Sequence, residues 1–142
     1  MKKKINFWKN KNVLITGAAG FVGSNLSKNL STSGANVVGL IQSKKKESLL
    51  FYEKIDKKIS LVFGDINDRS LIKKILIKFG IEICFHLAAQ VEVGMAKKDP
   101  FGTWETNVRG TYSLLETIRE NKKKIKSIIV ASSDKAYGEH GI

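Results

Sequence analysis

The sequence predicts an α/β fold, a doubly wound parallel sheet, and three observations predict it. A glycine series, Gly17, Gly20 and Gly23, stands where the first apolar run, Val13-Leu14-Ile15, meets a stretch of helical spacing. Short apolar runs then alternate with helix-like segments along the chain. Further glycines, Gly34 and Gly80, punctuate the ends of helix-like segments. Such alternation calls for parallel strands joined by right-handed crossovers, with helices on both faces.

Taken in order, residues 12–16 read as the first strand. A helix follows over 21–33, with Val22, Leu26 and Leu30 at helical spacing and Gly34 as its C-terminal cap. Residues 36–41 form a second strand. The polar, lysine-rich stretch 42–58 reads as loop with a short helix around Leu49–Ile55. A third strand covers 59–63 and closes with Gly64-Asp65. Asp68 has the character of a helix N-cap, and its helix runs to Phe79 with Leu71, Ile72, Ile75 and Leu76 inward. After Gly80, residues 82–87 are a fourth strand. Asp99-Pro100 introduces a long helix over 102–120, and residues 125–131 make a fifth strand.

The bulk properties bound the function. A chain of 142 residues with 42% hydrophobic content fits one domain with a real core. No apolar run reaches membrane-spanning length, and the basic start, Met1-Lys2-Lys3-Lys4-Ile5, lacks the apolar stretch of a signal peptide. Cys84 is the single cysteine, so no disulfide forms within the chain, which suits a reducing cytoplasm. The net charge of +12 invites a nucleic-acid reading. The lysines, however, fall in separate runs at 2–4, 44–46 and 122–124 without interleaved aromatics, as on solvated faces. No membrane or nucleic-acid partner is therefore expected. Two histidines and one cysteine make no metal constellation. No acidic residue precedes Glu47.

In a doubly wound sheet, ligands bind beyond the carboxyl ends of the strands. The stretch Gly17-Ala18-Ala19-Gly20-Phe21-Val22-Gly23 is suited to a phosphate: a tight turn, a bare backbone and a helix start whose N–H groups face an anion. It predicts a bound dinucleotide, NAD or NADP, on a Rossmann fold. After the second strand the usual ribose-binding acid is absent, and Ser43 and Lys44 are placed to contact a 2′-phosphate or to be plain solvated loop. Asp65 is expected to accept from the adenine amino group, with Ile66 covering the ring. Leu87, Ala88, Ala89 and Gln90 let the backbone pass close to the nicotinamide end; Gln90 faces substrate or is a loop amide. His86 reads as a core histidine of the strand rather than a base. Ser133, Asp134 and Lys135 align a hydroxyl, a carboxylate and an ammonium, groups that can serve a carbonyl–alcohol interconversion.

These residues together resemble a known family. The series Thr16-Gly17-Ala18-Ala19-Gly20-Phe21-Val22-Gly23, Gly64-Asp65-Ile66, His86-Leu87-Ala88-Ala89-Gln90, Asp99-Pro100, Thr106-Asn107-Val108-Arg109-Gly110-Thr111 and Ser132-Ser133-Asp134-Lys135-Ala136-Tyr137-Gly138 is similar to the extended short-chain dehydrogenase/reductases. These are NAD(P)-dependent nucleotide-sugar epimerases and dehydratases. Phe7-Trp8-Lys9-Asn10-Lys11 and Ser133-Asp134-Lys135 most resemble the CDP-glucose 4,6-dehydratases. The resemblance implies hydride removal from sugar C4, loss of water across C5 and C6, and return of the hydride. Ser133 would then contact the C4 oxygen, Asp134 would assist loss of the C6 hydroxyl, and Lys135 would act near C5. Asn107 would tie the long helix to a neighbouring strand. A nucleotide-sugar substrate and a homodimer formed through helices are implied for the full-length protein.

One departure matters. The family's Tyr-x-x-x-Lys pair does not occur here: Asp56 stands four residues after Tyr52, Glu116 after Tyr112 and Gly141 after Tyr137. The expectation is thus one domain, 1–142, a dinucleotide-binding unit truncated after the fifth strand and lacking a substrate domain. It would be the cofactor part of a dehydratase or epimerase, inactive alone. The alternative is a non-catalytic dinucleotide-binding module acting as a sensor or assembly partner.

Overall fold

A computed structural model describes residues 6–44, 46–121, 124–133 and 137–138. Five parallel strands, β1 (Asn12–Thr16), β2 (Asn36–Ile41), β3 (Ser60–Phe63), β4 (Ile83–His86) and β5 (Ser127–Val130), lie in the spatial order β3-β2-β1-β4-β5. The chain builds outward from β1 to β3 and then crosses to β4 on the other side of β1. The direction therefore switches between β1 and β4, and there the strand ends part to leave a crevice. The strand edges are one or two residues shorter than the sequence predicts at β3, β4 and β5.

Alternate residues of the strands supply two cores. On one face Val13, Ile15, Val37, Ile41 and Ile83 pack with Leu30 of α1 (Phe21–Thr32) and Leu50 of α2 (Leu49–Tyr52). On the other, Leu14, Val38, Leu40 and Cys84 meet Ile72, Ile75 and Leu76 of α3 (Arg69–Lys78) and Leu114 and Ile118 of the last helix. Burial pushes the Cys84 thiol up to about 12, so it acts as a small apolar side chain.

The helix boundaries follow local chemistry. After α1, Gly34 takes φ +84° and the N–H groups of Gly34 and Ala35 donate to the carbonyls of Ser31 and Leu30. After α3, Gly80 takes φ +56°, with Gly80 and Ile81 donating to Ile77 and Leu76. Both are the paired C-terminal bonds that a left-handed glycine permits. Asp68 caps α3, its Oδ1 accepting from the Leu71 N–H at 2.9 Å. At the opposite end of the sheet, Glu82 accepts from Lys126 at 2.7 Å and from the Asn12 backbone N–H at 3.3 Å. Those two bonds hold its carboxyl below the usual range.

A short helix not predicted from the sequence, α4 (Val93–Lys98), precedes the long one. The long helix enters at Pro100, with Asp99 Oδ1 accepting from the Gly102 N–H at 2.8 Å. It is not uniform: α5 (Pro100–Trp104) passes through a π-helical turn, Glu105–Arg109, into α6 (Gly110–Glu120). Among the described residues no helix is long and apolar enough to cross a membrane.

Candidate functional site

At the carboxyl ends of β1, β2 and β4 lies a cleft of about 410 Å³. Gly17, Ala19, Gly20, Phe21, Val22 and Gly23 form its floor; Ser43 and Ile66 line it from the β2 and β3 sides, and Leu87, Ala88, Ala89 and Gln90 from β4. All twelve were singled out from the sequence. A smaller cavity of about 290 Å³ shares Gln42, Ala89, Gln90 and Thr106 with it and extends towards α4 and α5.

The glycine turn is built by close approach. Gly17 has φ +70°, and a Cβ there would stand 2.8 Å from the Leu87 carbonyl and the Ala88 nitrogen. Any side chain would drive β1 and β4 apart at the switch point. Around Gly23 the obstacle is the turn itself, since a Cβ would overlap the Gly17 carbonyl oxygen and the Ala18 Cα. Thus the third glycine seats α1 on the glycine turn rather than on the strand. A Cβ at Gly20 would meet one atom, the Gly17 oxygen at 3.2 Å, and is otherwise open. Gly20 is also the N-cap of α1, which has no side-chain cap and no acid in its first turn. The N–H groups of Phe21, Val22 and Gly23 have no carbonyl four residues back within the helix. They give the cleft floor a positive end suited to an anion.

His86 organises the wall between β1 and β4. Thr111 Oγ1 donates to the Asn107 carbonyl at 2.7 Å, so towards His86 Nε2, 3.0 Å away, it accepts. Nδ1 is then bare and accepts from Thr16 Oγ1 at 2.8 Å, and Thr16 in turn accepts from the Leu87 and Ala88 N–H groups at 3.2 Å each. The ring is buried, and burial lowers its pKa. It is a neutral hub joining β1, the β4 loop and α6, with both nitrogens committed. Asn107, inside the π-helical turn, clamps the same loop: its Oδ1 accepts from the Gln90 N–H at 2.7 Å and its Nδ2 donates to the Gln90 carbonyl at 3.0 Å. Offset helical turns of this kind often mark functional positions.

Two predicted residues stand beside the cleft rather than lining it. Lys44 carries its ammonium 5.1 Å from the Phe51 ring centroid. Asp65 accepts at Oδ1 from the Asn67 N–H, 2.7 Å, and at Oδ2 from the Gln42 side-chain amide, 2.9 Å. Ser133 is exposed beyond β5 and does not line the cleft. Asp134 and Lys135 lie outside the described residues. Sequence reasoning passed over Thr16 and Thr111 as partners of His86. A polar residue closing an apolar strand just before a glycine turn is the signal that marks Thr16. Glu92 and Thr106 also line the cleft; Thr106 opens the Thr106–Thr111 motif without having been singled out as a site residue, and Glu92 carries no local sequence signal.

Comparison with known proteins places this geometry in a family. The sequence model of the family described as GDP-mannose 4,6 dehydratase matches residues 14–141. A CDP-glucose 4,6-dehydratase of Salmonella typhimurium is 38% identical over 133 residues, covering 93% of this chain and 37% of the relative. A UDP-glucose 4-epimerase of Yersinia enterocolitica is 36% identical over 130 residues, 89% of this chain and 38% of its own. The chain thus spans less than two fifths of these relatives' length. Among solved structures, the UDP-glucose-4-epimerase of Stenotrophomonas maltophila with bound NAD and formylated UDP-arabinopyranose superposes with a TM-score of 0.81 at 27% identity, over 92% of this chain and 39% of that one. The Brucella ovis UDP-glucose 4-epimerase in complex with NAD gives 0.79 at 30%, over 93% and 38%. With the five-stranded parallel sheet, the glycine turn at its switch point and a family match over nearly its whole length, the chain belongs to the GDP-mannose 4,6 dehydratase family.

Proposed function

We propose that this chain is the dinucleotide-binding part of a nucleotide-sugar 4,6-dehydratase or epimerase. The observation that carries the reading is the uncapped start of α1, opening into a cleft at the β1/β4 switch point. The residues present fit a dinucleotide: side chains are absent where the pyrophosphate would press on Gly17 and Gly20, and helix N–H groups point to the same place. The NAD-bound epimerases of like fold support the same choice of ligand.

When bound, NAD or NADP supplies a hydride acceptor and donor. The chain's own residues bind and orient it. Gly17, Ala19, Gly20, Phe21, Val22 and Gly23 hold the pyrophosphate, and Ser43 and Lys44 stand at the adenosine ribose. Ile66 covers the adenine. Asp65 accepts from the adenine amino group; a carboxylate oxygen has two lone pairs, so Oδ2 can keep Gln42 and take a second N–H. The stretch 87–90, fixed by Thr16 and Asn107, holds the nicotinamide end. Ser133, Asp134 and Lys135 take the roles at sugar C4, C6 and C5 that the family resemblance implies.

No Tyr-x-x-x-Lys pair occurs in these 142 residues, so the chain by itself binds cofactor without turning over a sugar nucleotide. The proposed location is the cytoplasm. Phe101, Trp104, Val108 and Tyr112 are exposed along α5 to α6 and are the proposed surface of a homodimer.

Gly20→Asp separates binding from folding. Gly20 has φ −72° and ψ 171°, the extended geometry of an N-cap, so an aspartate there caps α1 while placing a carboxylate where the pyrophosphate lies. Calorimetric titration should give one dinucleotide per chain for the wild type. The variant, with an unchanged or higher melting temperature, should bind at least thirtyfold more weakly. A wild type that binds neither NADH nor NADPH at millimolar concentration, or a variant that binds undiminished, sinks the reading.

A further inference from the structure

We propose that the chain carries a second anion site at the amino ends of its strands, where Lys57, Lys58 and Ser60 take the phosphate or pyrophosphate group of a small molecule. This end of the sheet lies opposite the dinucleotide cleft, and the proposal does not depend on the dinucleotide reading. A cavity of about 320 Å³ opens there, lined by Asn12, Asn36, Lys57, Lys58, Ser60 and Phe79 among others. Its volume falls at the lower end of the range of small-ligand pockets. Asn12, Asn36 and Ser60 are the first residues of β1, β2 and β3, so three adjacent strands begin on polar side chains along one rim.

The donors of this rim are free to bind. Asn36 Nδ2 donates to Asn12 Oδ1 at 2.9 Å, and Asn12 Nδ2 donates to the Gly80 carbonyl at 3.2 Å. That relay fixes both amides and leaves each with a second N–H that has no partner among the described residues. The Ser60 hydroxyl likewise has no partner among them. Lys57 and Lys58 are exposed and enter no ion pair among the described residues. Two further ammonium groups stand beside the cavity. Lys78 Nζ lies 5.4 Å from the Phe79 ring centroid, and Lys124 Nζ lies 3.5 Å from where a Cβ on Gly80 would be.

The opposing charges are fewer. No carboxylate lines the cavity, and Glu82, nearby on the sheet edge, is taken by Lys11 and Lys126. Helices α1 and α3 both end on this side, and lysines at such ends also serve to offset the helix dipoles. The two ends together bring about one negative charge. Asp56, in the turn Ile55–Lys57, adds another. The four ammoniums exceed that sum by about two charges, which a pyrophosphate would balance through charge-assisted hydrogen bonds.

The test is a titration of the ¹⁵N-labelled chain with inorganic pyrophosphate at fixed ionic strength, followed residue by residue by NMR. The expected result is saturable shifts of the Ser60 backbone amide and the Asn12 and Asn36 side-chain amides, with one dissociation constant. Lys57→Gln with Lys58→Gln should weaken it about tenfold or more. Lys97→Gln with Lys98→Gln, which removes the same charge from α4, should leave it within about twofold. Shifts at Gly17 to Gly23 report the cleft and are read separately. Shifts at the amino-end rim that never saturate, or an equal loss in the two double variants, would mean diffuse attraction to a basic surface and overturn the proposal. Shifts confined to Gly17–Gly23 overturn it as well, while leaving the dinucleotide reading in place.

Discussion

Ile15 and Ile129 stand in one row across the sheet, on the same face, with Phe85 between them. Ile15 is 0% exposed and Ile129 is 42% exposed. The two strands read alike, Val-Leu-Ile in β1 and Ile-Ile-Val in β5. What separates them is cover. Over Ile15 lie α1, α2 and a single 3-10 turn, Ile55–Lys57, and over Phe85 lies the Trp8 ring at 6.2 Å. Among the described residues β5 pairs on one side alone, with β4. Apolar sequence makes a strand; its neighbours decide whether the strand is core. The central strands β1 and β2 have both faces covered, whereas β5, which leads to Ser133, does not.

The largest effect expected from this contrast is at Ile15. Truncation to Ala removes three buried methyl or methylene groups from the centre of the sheet and should cost about 3–5 kcal/mol in urea unfolding. A cost below about 1 kcal/mol would mean the α1 and α2 layer is not packed on β1 in solution.

His86 marks the boundary between the two regions. It lies between Thr16 of β1 and Val130 of β5 on the opposite face, and its tightest bonds run towards β1. Burial depresses its pKa below the ordinary 6.5. The unfolded chain therefore takes up this proton at a higher pH than the native chain does. The stabilisation is full above pH 6.5 and is lost as pH falls from there towards the native pKa, with a slope of at most about 1.4 kcal/mol per pH unit. Protonation at Nδ1 would also take away the acceptor of the Thr16 hydroxyl and loosen the β4 loop against the glycine turn. Denaturation midpoints at pH 7.5 and 5.5 should differ for the wild type and converge in His86→Gln, which retains His140 as an internal control. An equal pH dependence in the variant would show that the hub does not titrate in this way.

Much of this architecture is legible in the sequence because it depends on neighbouring residues. The glycine turn, the Asp68 cap and the Gly34 and Gly80 helix stops each act within a few positions, and all are found where the spacing puts them. Other features depend on residues far apart. Gln42 and Asp65 meet across 23 positions, and His86 meets Thr16 across 70. No local pattern encodes such pairs. The π-helical turn has no residue signature, because one extra residue per turn changes the bonding register without changing the composition. Val93-Gly94-Met95-Ala96-Lys97-Lys98 is too short and too glycine-weakened to announce α4. The exposure of β5 is invisible for the same reason: Ile128, Ile129 and Val130 carry the pattern of a core strand, and only the spatial order puts them at an edge.

The smallest effect belongs to Ile129. With over two fifths of the side chain exposed and no helix packed over it among the described residues, Ile129→Ala should cost about 1 kcal/mol, several times less than Ile15→Ala in the same row. The comparison is sharp because residue type, sheet face and strand direction are shared, leaving cover as the variable. An exposed apolar edge strand also favours association with other chains, so Ile129→Lys should reduce concentration-dependent light scattering while leaving the melting temperature nearly unchanged. If Ile129→Ala instead cost as much as Ile15→Ala, the edge would have to be covered in solution. The concentration dependence of the unfolding midpoint would then tell a covering second copy, which makes the midpoint rise with concentration, from cover within the same chain, which does not.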